Sequence, residues 1–170
     1  MAEGQENYTT VACLSYYAGL RIHECFRIDT ATAEAALRDG TITIKGKGGK
    51  IRSVPLSESI HIELRKLLDI TPRGHKLFVP DGVPTDRAIA YLQTYIAYAR
   101  NKIRDEGSVS PLTHHGLRHS FAANKYRALT AGGMTPLEAS LEVSRLLGHE
   151  RADVTRIYLA LLQKDGGSNG

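Results

Sequence analysis

The strongest constraint on the fold is a pair of short alternating segments that flank a glycine-rich turn. Thr41 to Ile44 and Ile51 to Val54 each show the two-residue alternation of a β-strand. The residues between them, 45–50, have the sequence Lys-Gly-Lys-Gly-Gly-Lys, a composition typical of a tight reversal. The pattern predicts one antiparallel hairpin with three lysines around its tip.

Most of the remaining chain has helical periodicity, as in Val11, Leu14 and Tyr17. The predicted helices cover about 7–18, 21–28, 57–68, 85–105, 115–129, 135–148 and 155–162. A loop with a short extended piece at 77–79 is predicted between the third and fourth of these helices. The predicted fold class is α+β, mainly α-helical, with a small antiparallel β-sheet.

Composition narrows the class of protein without deciding its function. A length of 170 residues suits one domain, and a net charge of +4 permits nucleic-acid binding without requiring it. Cys13 and Cys25 belong to no Cys-x-x-Cys pair, so each is interpreted as a buried structural thiol. The chain has no apolar run long enough to cross a bilayer and no signal segment, so a reducing, cytoplasmic setting is expected.

Three short motifs and a late tyrosine follow one another in the chain. Arg21 lies in Gly-Leu-Arg-Ile-His-Glu, His115 and Arg118 form a His-x-x-Arg, and His149 ends a Leu-Gly-His. Tyr158 comes nine residues after His149. Guanidinium groups can clamp a phosphodiester, histidines can move protons or bond phosphate oxygens, and a tyrosine hydroxyl can attack phosphorus.

This set of motifs resembles the catalytic residues of the tyrosine recombinases, the phage-integrase family, over about residues 9–162. The resemblance implies a tyrosine-recombinase catalytic-domain-like fold. It predicts a single catalytic domain over 1–170, ordered over about 7–164. Family members usually carry an N-terminal DNA-binding domain as well. That domain is expected to be absent from this chain, either through truncation or because the chain is a naturally short homologue.

The resemblance also implies a role for each motif residue. Two arginines stabilise the non-bridging phosphate oxygens, the first histidine handles the tyrosine proton, and the second supports the phosphate. A lysine on the hairpin protonates the departing 5′ oxygen, and the tyrosine is the nucleophile. The implied catalytic set is Arg21, Lys47, His115, Arg118, His149 and Tyr158.

Two of these assignments have competitors nearby. Lys45 and Lys50 compete with Lys47, which is favoured because Gly-Lys-Gly precedes a Val-Pro-Leu segment. His114 and His119 flank the favoured His115. Glu24 is interpreted as a support for the first arginine motif and not as a catalytic acid.

The implied function is that of a site-specific DNA recombinase or integrase catalytic domain, which cleaves and rejoins DNA through a 3′-phosphotyrosine. Neither ATP, a metal nor a small-molecule cofactor is expected. The expected partner is double-stranded DNA, with a monomer when free, a homotetramer on DNA and no membrane association. The alternatives are a type IB topoisomerase, a DNA-binding relative that has lost catalysis, and an unrelated helical binding protein.

Overall fold

The computed structural model describes residues 3–46, 49, 51–100 and 113–148. Their elements are, in chain order, α1 (Glu3–Ala18), α2 (Ile22–Cys25), α3 (Thr30–Asp39), β1 (Thr41–Lys45), β2 (Ile51–Pro55), α4 (Glu58–Ile70), α5 (Thr85–Ala99), α6 (His114–Ala131) and α7 (Pro136–Leu147). The described part of the chain is therefore mainly helical with one two-stranded antiparallel sheet, which confirms the predicted fold class.

The predicted hairpin is present, and each strand is one residue longer than expected. The register pairs Thr41 with Pro55 and Lys45 with Ile51. One face of the hairpin is buried, and it carries Ile42, Ile44, Val54 and, unexpectedly, Arg52. Because strand side chains alternate between faces, these four inward positions follow directly from the register.

Several predicted helix boundaries are confirmed. At the start of α7 the Thr135 hydroxyl accepts a bond from the Glu138 amide at 3.3 Å, and the Glu138 carboxylate accepts one from the Thr135 amide at 2.9 Å. Gly148 ends α7 in the left-handed region with φ +64°. The Ser57 hydroxyl caps α4 by accepting from the Ile60 amide. These caps are local, so sequence alone predicts them.

Other boundaries differ from the predictions. Helix α1 begins at Glu3 and not near residue 7, and α2 ends at Cys25 and not near 28, with Arg21 as its N-cap. Helix α6 begins one residue before the predicted start and runs to Ala131. Residues 77–79 form no strand among the described elements, although Leu77 and Phe78 are buried. The predicted helix at 155–162 and the end of the helix predicted to reach 105 lie outside the described residues.

Helix α3 was not predicted. Its inward residues are small, Ala33 and Ala36, so it lacks the large apolar side chains that reveal a helical period. The Asp29 carboxylate caps it by accepting from the Thr32 amide at 2.8 Å, and Gly40 ends it with φ +66°. The helix packs on β1 and α4 and so supports the hairpin.

Helix α1 packs against α4 and α6. Val11 and Leu14 are fully buried, whereas Tyr17 is exposed. Cys25 is fully buried, as expected, and burial raises the pKa of its thiol to about 12. Cys13 is only partly buried, so the prediction of a buried thiol is wrong there. No helix among the described residues is long and apolar enough to span a bilayer.

Candidate active-site cleft

The first arginine motif lies at a sharp turn between α1 and α2. Gly19 makes this turn with φ +64°. A Cβ at this position would lie 2.5 Å from Cδ1 of Phe121 on α6, so the chain requires glycine for both conformation and space. The turn brings Arg21 to the N-terminus of α2 and directs the chain past the start of α6.

Arg21 is held by the carboxylate of Glu24. The Arg21 amide donates to Glu24 Oε2 at 2.8 Å, and Arg21 Nη1 donates to Glu24 Oε1 at 3.1 Å. The Arg21 side chain remains 30% exposed, while the Glu24 side chain is completely buried. The predicted supporting role of Glu24 is therefore visible as a direct restraint on both the backbone and the guanidinium of Arg21.

Glu24 also binds a second arginine, which comes from β2. Arg52 Nη1 and Nη2 donate to the two oxygens of Glu24 at 2.9 Å and 2.6 Å. Burial raises the pKa of the Glu24 carboxyl, but the hydrogen bonds and charges of Arg52 and Arg21 outweigh it and lower the pKa to about 2. Glu24 is thus a buried carboxylate that stays ionised because two arginines surround it.

The second arginine motif occupies the first turns of α6. Thr113 caps this helix, since its hydroxyl accepts from the Gly116 amide at 2.9 Å. Arg118 is 5% exposed, and its two terminal nitrogens donate to the backbone carbonyls of Gly19 and Leu147. Arg118 therefore joins the turn after α1 to the end of α7 while it borders the cleft described below.

The histidines at the start of α6 have different surroundings. His114 turns inward, and its Nε2 bonds the Ser15 hydroxyl of α1. Burial, together with the charge of Arg118, lowers the pKa of His114 to about 4. His115 is exposed, and its ring packs edge-on against His119 with 4.3 Å between centroids. His114 is thus a neutral structural group near pH 7, whereas His115 is exposed.

One cleft of about 380 Å³ gathers residues from both motifs. Three of the residues in the implied catalytic set border it, namely Arg21, His115 and Arg118. The other lining residues are Ile22, His23, Gln93 and His114. Burial is the main cause that lowers the pKa of His23, as it is for His114. The two arginines bring permanent positive charge to the cleft, which suits a phosphate group.

The other three predicted site residues, Lys47, His149 and Tyr158, lie outside the described residues, as does Lys50. The described residues end at Gly148, directly before His149. The preceding Leu147 carbonyl accepts a hydrogen bond from Arg118. Among the described residues, no three His, Cys, Asp or Glu side chains form a group that could hold a metal ion.

Sequence reasoning missed Arg52. The available signal was its place in the strand pattern, since the alternation of the hairpin puts residue 52 on the same face as Ile42, Ile44 and Val54. A charged residue at an inward position needs a buried partner, and sequence spacing does not identify that partner 28 residues away.

Comparison with protein families gives one match over nearly the whole chain. The model described as "Phage integrase family" matches residues 3–165. Among curated proteins, tyrosine recombinase XerC of Corynebacterium glutamicum is 33% identical over 156 residues, which cover 89% of this chain and 46% of that protein. Tyrosine recombinase XerD of Xanthomonas axonopodis pv. citri is 32% identical over 158 residues, covering 85% and 48%. The chain spans about half the length of the curated relatives it matches.

Solved structures share the fold. XerA recombinase matches 99% of this chain and 60% of its own chain, with a TM-score of 0.64 and 20% identity. The Tn1549 transposon integrase in complex with circular intermediate DNA matches 91% and 54%, with a TM-score of 0.66 and 18% identity. XerH recombinase bound to its difH substrate in a pre-cleavage complex matches 99% and 47%, with a TM-score of 0.64 and 25% identity.

Proposed function

The chain belongs to the phage integrase family of tyrosine recombinases, and we propose on this basis that it is the catalytic domain of a site-specific DNA recombinase. The observation that carries the proposal is the cleft bordered by Arg21, His115 and Arg118. These residues come from motifs almost a hundred residues apart, and guanidinium groups bind phosphate oxygens through strong charge-assisted hydrogen bonds.

The proposed reaction transfers a phosphoryl group twice. The Tyr158 oxygen attacks the scissile phosphorus, the bond from phosphorus to the 5′ oxygen breaks, and a 3′-phosphotyrosine forms. His115 accepts the tyrosine proton, and Lys47 gives a proton to the departing 5′ oxygen. A free 5′ hydroxyl of another strand then reverses these steps. The energy of the phosphodiester is kept in the covalent link, so rejoining needs no ATP.

Arg21 and Arg118 stabilise the charge that develops on the non-bridging oxygens. Preorganised donors are most effective when they do not have to move during the reaction, and the buried carboxylate of Glu24 restrains Arg21 in this way. His149 supports the phosphate from the segment after Gly148. The exposed position of His115 and the inward bond of His114 to Ser15 favour His115 over His114 as the proton acceptor.

The proposed partner is double-stranded DNA, and the solved XerH and Tn1549 integrase structures are complexes of those proteins with DNA. We propose that the chain acts as a homotetramer on DNA and is a monomer when free, in a cytoplasmic setting. The cleft cations supply charge contacts to phosphate, which give affinity without sequence information.

The proposal is tested by trapping the covalent intermediate. The protein is incubated with a pool of nicked, end-labelled duplexes, and adducts are separated on a denaturing gel and located by peptide mass spectrometry. Wild type is expected to give an adduct at Tyr158, and Tyr158→Phe none. Tyr98→Phe is a matched control, because Tyr98 is 72% exposed on α5 and is expected to retain the adduct.

An adduct that survives in Tyr158→Phe, or one located at another residue, contradicts the assignment. Absence of any adduct from wild type contradicts the catalytic proposal and favours a binding relative. Relaxation of supercoiled DNA without exchange of strands between duplexes would favour the topoisomerase alternative. Excess chelator is expected to leave single-turnover cleavage unchanged.

A further inference from the structure

We propose that Arg52 is a positioning residue for the cleavage reaction. It holds Arg21 and the end of α7 together in one rigid unit. This inference rests on the proposed function for its link to catalysis. Arg52 itself borders no part of the cleft named above, so its effect would be exerted through the residues that it binds.

The first step of the argument is the place of Arg52 in the hairpin. It lies opposite Ile44 in the register and is 8% exposed, on the face that the apolar side chains of both strands share. Burying an ionised group without partners is very unfavourable, so a guanidinium persists at such a position only when its donors are well bonded. Here three donors have partners in two other elements.

The second step concerns the bonds that Arg52 makes to Glu24. Its two terminal nitrogens bind both oxygens of Glu24, and the same carboxylate binds the amide and the guanidinium of Arg21. Two planar groups joined by parallel bonds have a fixed relative orientation. Arg52 therefore fixes the carboxylate against which Arg21 is oriented, while the Arg21 side chain remains partly exposed toward the cleft.

The third step concerns the bond that Arg52 makes to the end of α7. Its Nε donates to the Leu146 carbonyl at 2.9 Å, in the last turn of α7. Gly148 lies so close that a Cβ there would be 3.1 Å from Cδ and Nη1 of Arg52. One guanidinium thus connects the Arg21 turn to the segment that leads directly to His149.

Arg118 makes a second connection between the same two segments, since it bonds the Gly19 and Leu147 carbonyls. Arg118 borders the cleft, whereas Arg52 lies behind Glu24. The two buried arginines therefore bracket the Arg21 turn from opposite ends. Of the pair, Arg52 is the one whose replacement tests positioning without removing a proposed phosphate contact.

The test compares Arg52→Met with Ile44→Ala, a core-facing change at the paired position of the other strand that leaves Glu24 and Leu146 untouched. Folding of both variants is first verified by near-ultraviolet circular dichroism at a temperature where each is native. Single-turnover cleavage at saturating DNA is expected to fall roughly 100-fold in Arg52→Met, because a displacement of about 1 Å has that effect on catalysis. DNA affinity and the cleavage rate of Ile44→Ala are expected to change little.

Arg52→Lys keeps the charge but not the two-point geometry, so it is expected to give an intermediate rate. A 5′-bridging sulfur substrate, whose leaving group needs no proton, is expected not to rescue Arg52→Met. Rescue by sulfur would mean that Arg52 acts through the hairpin tip and would overturn the proposal. Equal cleavage by Arg52→Met and wild type, or equal loss in Ile44→Ala, would overturn it too.

A second readout needs no cleavage. The Arg21 amide is bonded to Glu24, so its hydrogen exchange in the free protein is expected to accelerate in Arg52→Met and to stay slow in Ile44→Ala. Unchanged exchange in Arg52→Met would refute positioning, even if wild type formed no adduct. Faster exchange combined with a wild type that forms no adduct would leave the restraint on Arg21 supported and count against the proposed function alone.

Discussion

Two arginine–carboxylate pairs, each joined by two hydrogen bonds of similar length, lie in opposite environments. Arg52 binds Glu24 at 2.9 Å and 2.6 Å, and Arg145 binds Glu142 on α7 with two bonds of 2.7 Å. The side chains of the first pair are 6% and 0% exposed, and those of the second are 58% and 31% exposed. The first pair joins residues 28 positions apart, whereas the second lies within one helix.

Because the bond lengths are similar, burial and not bond length is expected to decide how much each ion pair contributes to stability. An exposed pair exchanges water contacts for protein contacts and gains little. A buried pair has lost its water, so each member depends on the other and on every further donor or acceptor within reach. The Glu24 pair meets this requirement with Arg21 and the Leu146 carbonyl, and the same bonds organise the cleft.

The largest effect is expected from Glu24→Ala. The substitution removes the carboxylate that binds the buried Arg52 and also releases Arg21. Loss of one member of a buried pair typically lowers the free energy of unfolding by about 3–5 kcal/mol. Glu142→Ala is the matched change at the surface and is expected to lower it by less than about 1 kcal/mol. Urea denaturation of both variants measures the contrast, and equal losses would break it.

A smaller loss in the free energy of unfolding is expected when the pH is lowered. The folded pKa of Glu24 is lowered to about 2, below the ordinary value of 4.5, so the folded state prefers the ionised form. This contribution to stability is complete above pH 4.5 and is lost as the pH falls toward 2, because the unfolded chain binds the proton first. Wild type should therefore lose on the order of 2 kcal/mol across this range relative to Glu24→Gln.

Denaturation midpoints at a series of pH values measure this term. The pKa of Glu142 is also lowered, chiefly by its bond to Arg145, but its partner is well exposed. Glu142→Gln is therefore expected to follow the pH dependence of wild type closely. A Glu24→Gln variant that kept the full acid sensitivity of wild type would show that another group carries it.

Gly148→Ala is expected to have a moderate effect. Alanine in the left-handed region costs about 1–2 kcal/mol, and a Cβ here would also press on Arg52 at 3.1 Å. Gly40→Ala is a close control, since Gly40 ends α3 at φ +66° with nothing within 4 Å of a Cβ. The excess destabilisation of Gly148→Ala over Gly40→Ala, from thermal unfolding, reports how firmly the buried guanidinium is held. No excess would mean that Arg52 yields easily.

The smallest effect is expected from Arg145→Ala. A pair three residues apart on an exposed helix face contributes about 0.2–0.5 kcal/mol, and salt weakens it further. Denaturation at low and high salt should show a small difference that shrinks with salt. A loss comparable to that of Glu24→Ala would remove the distinction between the two pairs.

The parts of the fold that sequence predicted are those with local causes. The Thr135 capping box, the Ser57 cap and the Gly148 terminus depend on residues within one turn, and the hairpin depends on a two-residue period. Helix α3 also had local signals in Asp29 and Gly40, but its alanine-rich interior hid the period. Its prediction would have required giving caps the same weight as apolar spacing.

The candidate site was predicted as a set of residues, but its connections were not. The resemblance of the motifs to the tyrosine-recombinase set implied that Arg21, His115 and Arg118 belong together, and they border one cleft. The bonds from Arg118 to Gly19 and from Arg52 to Glu24 bridge 99 and 28 residues. Such contacts follow from how α1, α6, α7 and β2 pack, and no periodicity in the chain specifies them. The roles of Lys47, His149 and Tyr158 remain predictions.

The burial of Cys25 makes its alkylation a readout of local opening. This thiol neighbours Glu24, is fully buried and has a pKa raised to about 12, so an alkylating reagent finds almost no thiolate in the native protein. Its modification must wait for the region around α2 to open, whereas the partly buried Cys13 needs a smaller excursion. Slow alkylation of Cys25, compared with that of Cys13, therefore reports opening of the region around α2 without any added label.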